Sequence, residues 1–281
     1  MLYSQIKGIS KKTIRQKLKE FFEEDDIKND ITTNTFIDKN ENIKANFVAE
    51  FEGVFCGEKI IENAFSKKVR TTTFIKDGLK VKEGYLLAEV VGPSEEILRK
   101  ERVVLNLIQR MCGIATETNK YAQKAFRKNI KILDTRKTTP GIRIFEKYAS
   151  KCGGGFNHRF NLSKGVMIKD NHIGANKGIS SIFKKSKKIN APIQVEIDTL
   201  KQLQKVLEYK VDAVLLDNMN SLEIKECIKA IKESGKKIFI EVSGGINYKT
   251  LNKYLIKGVD AISIGATIHQ ATFKNIKLEF E

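Results

Sequence analysis

The chain has 281 residues, 41% of them hydrophobic and 30% charged, which allows one large domain or two modest ones with ample core. Lysine and arginine number 51 against 34 acids, a formal net charge of +17. The basic residues are spread along the whole sequence, as at Lys184-Lys185 and Lys187-Lys188, without a basic tail or a basic block interleaved with aromatics. That pattern weighs against a nucleic-acid binder and for a solvated lysine surface that attracts small anions.

The N-terminal stretch MLYSQIKGISKKTIRQ lacks an apolar signal core, and no apolar run reaches spanning length, so no membrane association and a cytoplasmic location are expected. Cys56, Cys112, Cys152 and Cys227 show no C-x-x-C spacing, which suits reduced thiols. Cys152 lies near His158 in sequence, but an inert buried thiol is the commoner outcome than a nucleophile.

In chain order, Ile14, Leu18, Phe21 and Phe22 form a helical stripe, followed by Asp30-Ile31-Thr32-Thr33 and strand-like material from Ile43 to Phe55. A helical piece from Lys59 to Phe65 leads to strand signals at Thr72–Ile75 and Tyr85–Val91, punctuated by Asp77-Gly78 and Glu83-Gly84. Pro93-Ser94-Glu95-Glu96 reads as a helix start. That helix carries Ile97, Val104, Ile108 and Met111 on one face, with a break expected near Gly113. The first hundred residues thus form a mixed α+β unit.

After Asn129 the pattern becomes a strict alternation. Apolar strands at 131–134, 166–169, 193–197, 213–217, 238–242 and 261–265 are separated by helical segments such as Ser221–Ser234 and Lys249–Ile256. Six short strands with intervening helices imply a parallel α/β sheet. Every strand ends in polar or small residues: Asp134/Arg136, Lys169, Glu196, Asp217, Ser243 and Gly265. An open sheet gathers its site at one switch point, whereas a barrel gathers all strand ends at one mouth, so a barrel is expected.

The block from Asp134 to His172 is the densest in chemistry. Its cations Arg136, Lys137, Arg159 and Lys169 suggest a substrate rich in carboxylate or phosphate. An imidazole at His158, beside Arg159, would hydrogen-bond such an anion. Zinc binding by His158, Asp170 and His172 matches no familiar ligand spacing. Lys137 and Lys169 could form Schiff bases, but so many converging cations favour charge recognition. Ser243-Gly244-Gly245 and Ser263-Ile264-Gly265-Ala266-Thr267 follow the last two strands, where small residues let backbone N–H groups approach a phosphate. Glu196 and Asp217 suit a magnesium ion carrying a polyphosphate, a base, or a stabiliser of a developing carbocation; pairing with neighbouring lysines is the plainer alternative.

These residues carry a family resemblance. The segments Asp30-Ile31-Thr32-Thr33, Glu101-Arg102, Leu105-Asn106, Cys112–Thr116, the 134–173 block, Val195-Glu196, Leu216-Asp217-Asn218, Glu241–Ile246 and Gly258-Val259-Asp260 through His269 resemble the quinolinate phosphoribosyltransferase family, in order and over nearly the full length. The resemblance implies an N-terminal α/β sandwich domain over residues 1–103, joined by the tail 270–281, and a six-stranded α/β barrel over 104–269. It implies transfer of a phosphoribosyl group from phosphoribosyl pyrophosphate to quinolinate with decarboxylation, yielding nicotinate mononucleotide.

By the same resemblance Arg102 crosses a homodimer interface, with dimers possible as units of a larger oligomer. Thr135, Arg136, Lys137, His158, Arg159 and Lys169 bind the dicarboxylate, with Lys137, Lys169, Glu196 and Asp217 as the catalytic groups. Glu196, Asp217, Ser243, Gly244, Gly245, Ile264, Gly265 and Ala266 surround the donor, with Mg2+ as cofactor at Glu196 and Asp217. Asn161, Lys164, Ile268 and Gln270 depart from the family pattern and touch the shape of two loops. A same-fold paralogue acting on another anion, of the molybdenum-associated type, is the nearest alternative, against which Thr138–Gly141 and Ile168–Asn171 stand.

Overall fold

The computed structural model describes residues 2–38, 41–176, 178–186 and 189–281, which leaves Lys187 and Lys188 of the lysine-rich stretch outside the described residues. The chain divides into two compact units. One comprises Ile6–Asn119, Thr138–Gly154 and Ile268–Glu281; the other comprises Met1–Gln5, Lys120–Lys137 and Gly155–Thr267.

The first unit starts with α1 (Lys11–Glu24), whose Ser10 cap accepts the amide of Thr13, and the short α2 (Ile31–Phe36), capped by Asp30. Then come β1 (Asn42–Ala49), β2 (Gly53–Val54), α3 (Glu58–Ala64), β3 (Arg70–Thr73), β4 (Lys80–Val81), β5 (Leu86–Pro93) and α4 (Ser94–Phe126). The main sheet is antiparallel in the order β12-β1-β5-β3, where β12 (Ile276–Phe280) is the returning tail. Burial alternates along β1, and Ala45, Phe47 and Ala49 enter an apolar core with Ile14, Leu18, Ile60 and Ile61. Each of the larger side chains contributes roughly 1.5–3 kcal/mol, and each alanine methyl about 0.8 kcal/mol.

The sequence places a break near Gly113, and the structure corrects it. Helix α4 runs unbroken for 33 residues. Gly113 serves packing: a Cβ there would collide with the Thr272 carbonyl of the tail. Val104, Leu105, Ile108, Met111, Ile114 and Ala115 all enter the sandwich core, which carries the unit to Asn119. Helix α5 (Arg143–Cys152), unread in the sequence, also joins this core through Phe145 and Ala149. Its Glu146 is fully buried but compensated by Arg110 at 2.9 Å and by the amide and hydroxyl of Thr139. The Thr138–Gly141 motif is thereby pinned to α5. Of the departures, Ile268 is a core residue of this unit and Gln270 is exposed.

The second unit holds six parallel strands, β6 (Lys131–Leu133), β7 (Val166–Ile168), β8 (Ile193–Ile197), β9 (Ala213–Asp217), β10 (Phe239–Ser243) and β11 (Ala261–Ser263). Their order is β6-β11-β10-β9-β8-β7, and every pairing is parallel. The helices are α6 (Asp170–Ala175), α7 (Ile179–Ser186), α8 (Leu200–Val206), α9 (Ser221–Glu233) and α10 (Ala266–His269). The helix expected at Lys249–Ile256 is only a 3-10 turn over Leu251–Tyr254, because Asn247 binds the amides of Lys249 and Thr250 and starts a tight turn.

Residues alternate sharply across this sheet. Val195, Ile197, Val214, Leu216, Ile240 and Val242 pack with the helices, while Gln194, Glu196, Asp217, Glu241 and Ser243 take the intervening positions. The ends of all six strands line one cavity, which requires the sheet to curl into a barrel. Its seam lies between β6 and β7. There Phe156 donates to the Ile132 carbonyl and accepts from the Asp134 amide, extending the sheet by one short segment. Gln5 exchanges two hydrogen bonds with Asn157, at 2.9 and 2.7 Å, and Tyr3 packs on Gly165 at the start of β7. Among the described residues no helix is long and apolar enough to cross a membrane.

Candidate active site

The barrel mouth encloses a cavity of about 360 Å3 lined by Thr135, Arg136, Lys137, His158, Arg159, Lys169, Glu196, Asp217, Ser243 and Ser263, all anticipated from sequence, and by Met167, Leu215 and Glu241, which were not. Gly244 and Gly245 continue from Ser243, and Ile264, Gly265 and Ala266 from Ser263. Arg102 is exposed on α4 in the other unit and is not among the lining residues.

Two buried anchors position the cations. Asp134, fully buried at the end of β6, accepts the His158 amide at 2.9 Å and the Asn157 side chain at 2.6 Å. This fixes the run Asn157-His158-Arg159 beside β6. Arg159 then donates from its guanidinium to the Gly165 carbonyl at 3.1 Å, and partial burial lowers its pKa. A desolvated guanidinium with part of its donor set directed at the chain is poised for a planar anion. Lys169 ends β7, and its ammonium lies 2.6 Å from Glu196 at the end of β8. Its amide donates to Nδ1 of His172, so His172 orients the Lys169 backbone.

The phosphate-facing side is built from glycine. Gly244 (φ 100°) and Gly245 (φ 57°) both take left-handed backbone. A Cβ at 244 would collide with the side chain and amide nitrogen of Asn218, which itself donates to Asp217 at 2.7 Å. The loop can therefore approach only as glycine. Asn161, another departure, caps its own turn through Ser163, and Lys164 is exposed.

Glu241 is the main residue missed. It lies mid-strand on β10, fully buried, and accepts from Gln194 at 2.8 Å. Its other oxygen has no hydrogen bond among the described residues and stands 3.5 Å from Nε2 of His158. Burial foremost, with Asp134 and Asp217 nearby, pushes its carboxyl up to about 7. The signal was present: Ile193–Ile197 and Phe239–Ser243 read apolar-polar-apolar, which marks a polar interior face.

Two groups could hold a metal. Glu196 and Asp217 offer carboxylate oxygens suited to a hard cation. Asp198 beside them is raised by burial and then by the like charges of Asp217 and Asp170, crowding that a divalent cation would relieve. In the sandwich unit Cys56, Asp77 and Cys152 bring their ligand atoms within 4.8 Å. Asp77 is committed there to the amides of Gly57 and Glu58 and the hydroxyl of Tyr148. Cys152 falls in a different unit from His158.

Comparison with known proteins matches this geometry. Residues 30–112 fit the model for the N-terminal domain of quinolinate phosphoribosyl transferase, and residues 114–279 fit its C-terminal domain. A probable nicotinate-nucleotide pyrophosphorylase (carboxylating) of Bacillus subtilis is 38% identical, over 95% of this chain and 93% of its own length. A mitochondrial quinolinate phosphoribosyltransferase (decarboxylating) of Nicotiana glauca is 33% identical, over 90% of this chain and 77% of its own. The solved nicotinate-nucleotide pyrophosphorylase of Francisella tularensis superposes with a TM-score of 0.91, at 32% identity and 99% of both chains.

Proposed function

This chain belongs to the quinolinate phosphoribosyltransferase family and is a decarboxylating phosphoribosyltransferase of NAD biosynthesis, and we propose that it works at the mouth of the six-stranded barrel. It makes nicotinate mononucleotide, pyrophosphate and CO2 from quinolinate and phosphoribosyl pyrophosphate. The observation that carries the siting is one cavity that brings four cations together with the carboxyl groups of Glu196, Asp217 and Glu241, beside Ser243, from which the Gly244-Gly245 turn continues.

Quinolinate carries two adjacent ring carboxylates. Arg136, Lys137, Arg159 and Lys169 meet them, Thr135 lies alongside, and His158 stands directly behind Arg159. The Ser243–Gly245 and Ile264–Ala266 loops offer backbone N–H groups to the phosphates of the donor. As the pyrophosphate leaves, positive charge grows on the ribosyl carbon, and Glu196 and Asp217 stabilise it. The pyridine nitrogen then forms the new bond to that carbon. The resulting cationic ring accepts the electron pair released when the neighbouring carboxylate departs as CO2, and a proton takes its place. Lys169, paired with Glu196 at 2.6 Å, sets where that carboxylate points as the substrates arrive. Mg2+ held by Glu196 and Asp217 would neutralise the pyrophosphate.

The test is incubation with phosphoribosyl pyrophosphate, Mg2+ and either quinolinate or nicotinic acid. Nicotinate mononucleotide is expected from quinolinate and little from nicotinic acid, since a missing carboxylate leaves desolvated cations unpaired. Equal use of the two acids would overturn the reading.

Arg102, exposed on the sandwich unit, serves the site of the partner in a homodimer, and four free cysteines suit a cytoplasmic enzyme. Arg102→Ala and Lys169→Ala chains, each nearly inactive alone, should regain about a quarter of wild-type activity when co-expressed, because half of the randomly paired dimers carry one intact site. No recovery in confirmed mixed dimers would place Arg102 in its own chain's site.

A further inference from the structure

Residue 3 belongs to the barrel, although residues 6–119 belong to the other unit. Tyr3 is only 5% exposed. Its hydroxyl donates to Oε1 of Gln194 at 2.7 Å, and Gln194 in turn donates to Glu241. Its ring lies 4.5 Å from the His158 ring, centroid to centroid, tilted by 35°. On another side it presses on Gly165, where an added Cβ would stand 2.7 Å from the tyrosine ring.

Both neighbours of that ring hold Arg159. Nδ1 of His158 accepts the Arg159 amide at 2.7 Å, and the Gly165 carbonyl accepts its guanidinium. An Nδ1 that accepts leaves the ring proton of neutral His158 on Nε2, the nitrogen that faces Glu241. Both ring nitrogens are thus directed at protein groups, and His158 acts on Arg159 more directly than on a ligand.

We infer that Tyr3 is a positioning residue for the dicarboxylate: it braces Arg159 at both ends, through the His158 ring and through Gly165. The inference rests on the reading above, in which Arg159 meets a ring carboxylate of quinolinate. Removing the tyrosine ring leaves a void between His158 and Gly165, into which both relax. Binding and reaction depend on angstrom-level placement of such groups, so the loss is read in quinolinate recognition.

The experiment compares Tyr3→Ala and Tyr3→Phe with wild type in steady-state kinetics, varying each substrate in turn. Tyr3→Ala should raise the KM for quinolinate at least about tenfold while the KM for phosphoribosyl pyrophosphate stays within about twofold. Tyr3→Phe keeps the ring against His158 and Gly165 and should recover most of that loss, to within about threefold of wild type. In an Arg159→Lys background the effect of Tyr3→Ala should largely vanish, because the two act as one unit. If Tyr3→Ala does not fold, Tyr3→Leu, which removes the ring and its hydroxyl but keeps apolar bulk, carries the same expectation. Equal rises in both KM values, or additive effects with Arg159→Lys, would make Tyr3 a merely structural residue and overturn the inference. Wild-type chain inactive with quinolinate would instead defeat the functional reading itself.

Discussion

The two sheets of this chain use burial for opposite ends. The antiparallel sheet of the sandwich unit sends Ala45, Phe47, Ala49, Leu87 and Val90 into an apolar core, where Glu146 is tolerated with Arg110 and Thr139 against it. The parallel barrel sheet is buried on both faces, but its inner face carries Gln194, Glu196, Glu241 and Ser263. Apolar burial yields stability roughly in proportion to area. Polar burial costs stability unless every group is paired, and it gives fixed dipoles and charges in return. One sheet is therefore a foundation and the other a reaction vessel, and substitutions should separate the two.

The largest effect is expected in the foundation. Phe47→Ala removes a fully buried ring and should cost about 3–5 kcal/mol of unfolding free energy. Its kcat/KM should stay near wild type where the protein remains folded. In the vessel, Lys169→Ala should lower kcat/KM roughly 100- to 1000-fold, equivalent to about 2.7–4 kcal/mol of transition-state stabilisation. Its urea midpoint should barely move, since the lysine is 44% exposed. A stable, active Phe47→Ala chain, or a Lys169→Ala chain that loses stability and activity together, would erase the contrast.

The third effect is pH-dependent. Glu241 rises from an ordinary 4.5 to about 7 in the folded chain, chiefly through burial. Between those values the folded state holds a proton that the unfolded state has released. Stability therefore falls as pH climbs through that window, by at most about 3 kcal/mol, and the loss is complete above 7. Glutamine carries no such proton. Glu241→Gln should gain on wild type in urea midpoint between pH 5 and 8, and a pH-independent difference would show that burial does not govern this carboxyl.

Legibility in the sequence followed the same division. All six barrel strands could be read, because runs such as Ala213–Asp217 are apolar, short and bounded by turn residues. Most of the site followed, since cations and carboxylates that end such strands have few other reasons to gather. Glu241 escaped because it sits mid-strand, where one charge among Phe239, Ile240 and Val242 looks like an interruption. Helix α5 escaped because its buried face includes Glu146, Lys147 and Ser150 beside Phe145 and Ala149, which blurs the apolar stripe. Gly113 misled for a different reason: its function is to admit Thr272, 159 positions away, and no local pattern reports such a contact. Tyr3 is a case of the same kind.

The seam of the barrel also has a history in time. Tyr3 and Gln194 are 191 positions apart, so a ribosome adding ~5–20 residues per second leaves roughly 10–40 s between them. For most of that interval the tyrosine lacks the glycine it leans on, and for all of it the amide it donates to. A residue made early is seated late, after β7 and β8 exist to receive it. Once seated, it remains a short strip held by a few side-chain bonds, the kind of segment that opens without global unfolding. Under the role inferred for Tyr3, Arg159 gains its brace only once β7 and β8 stand beside the N-terminal strip.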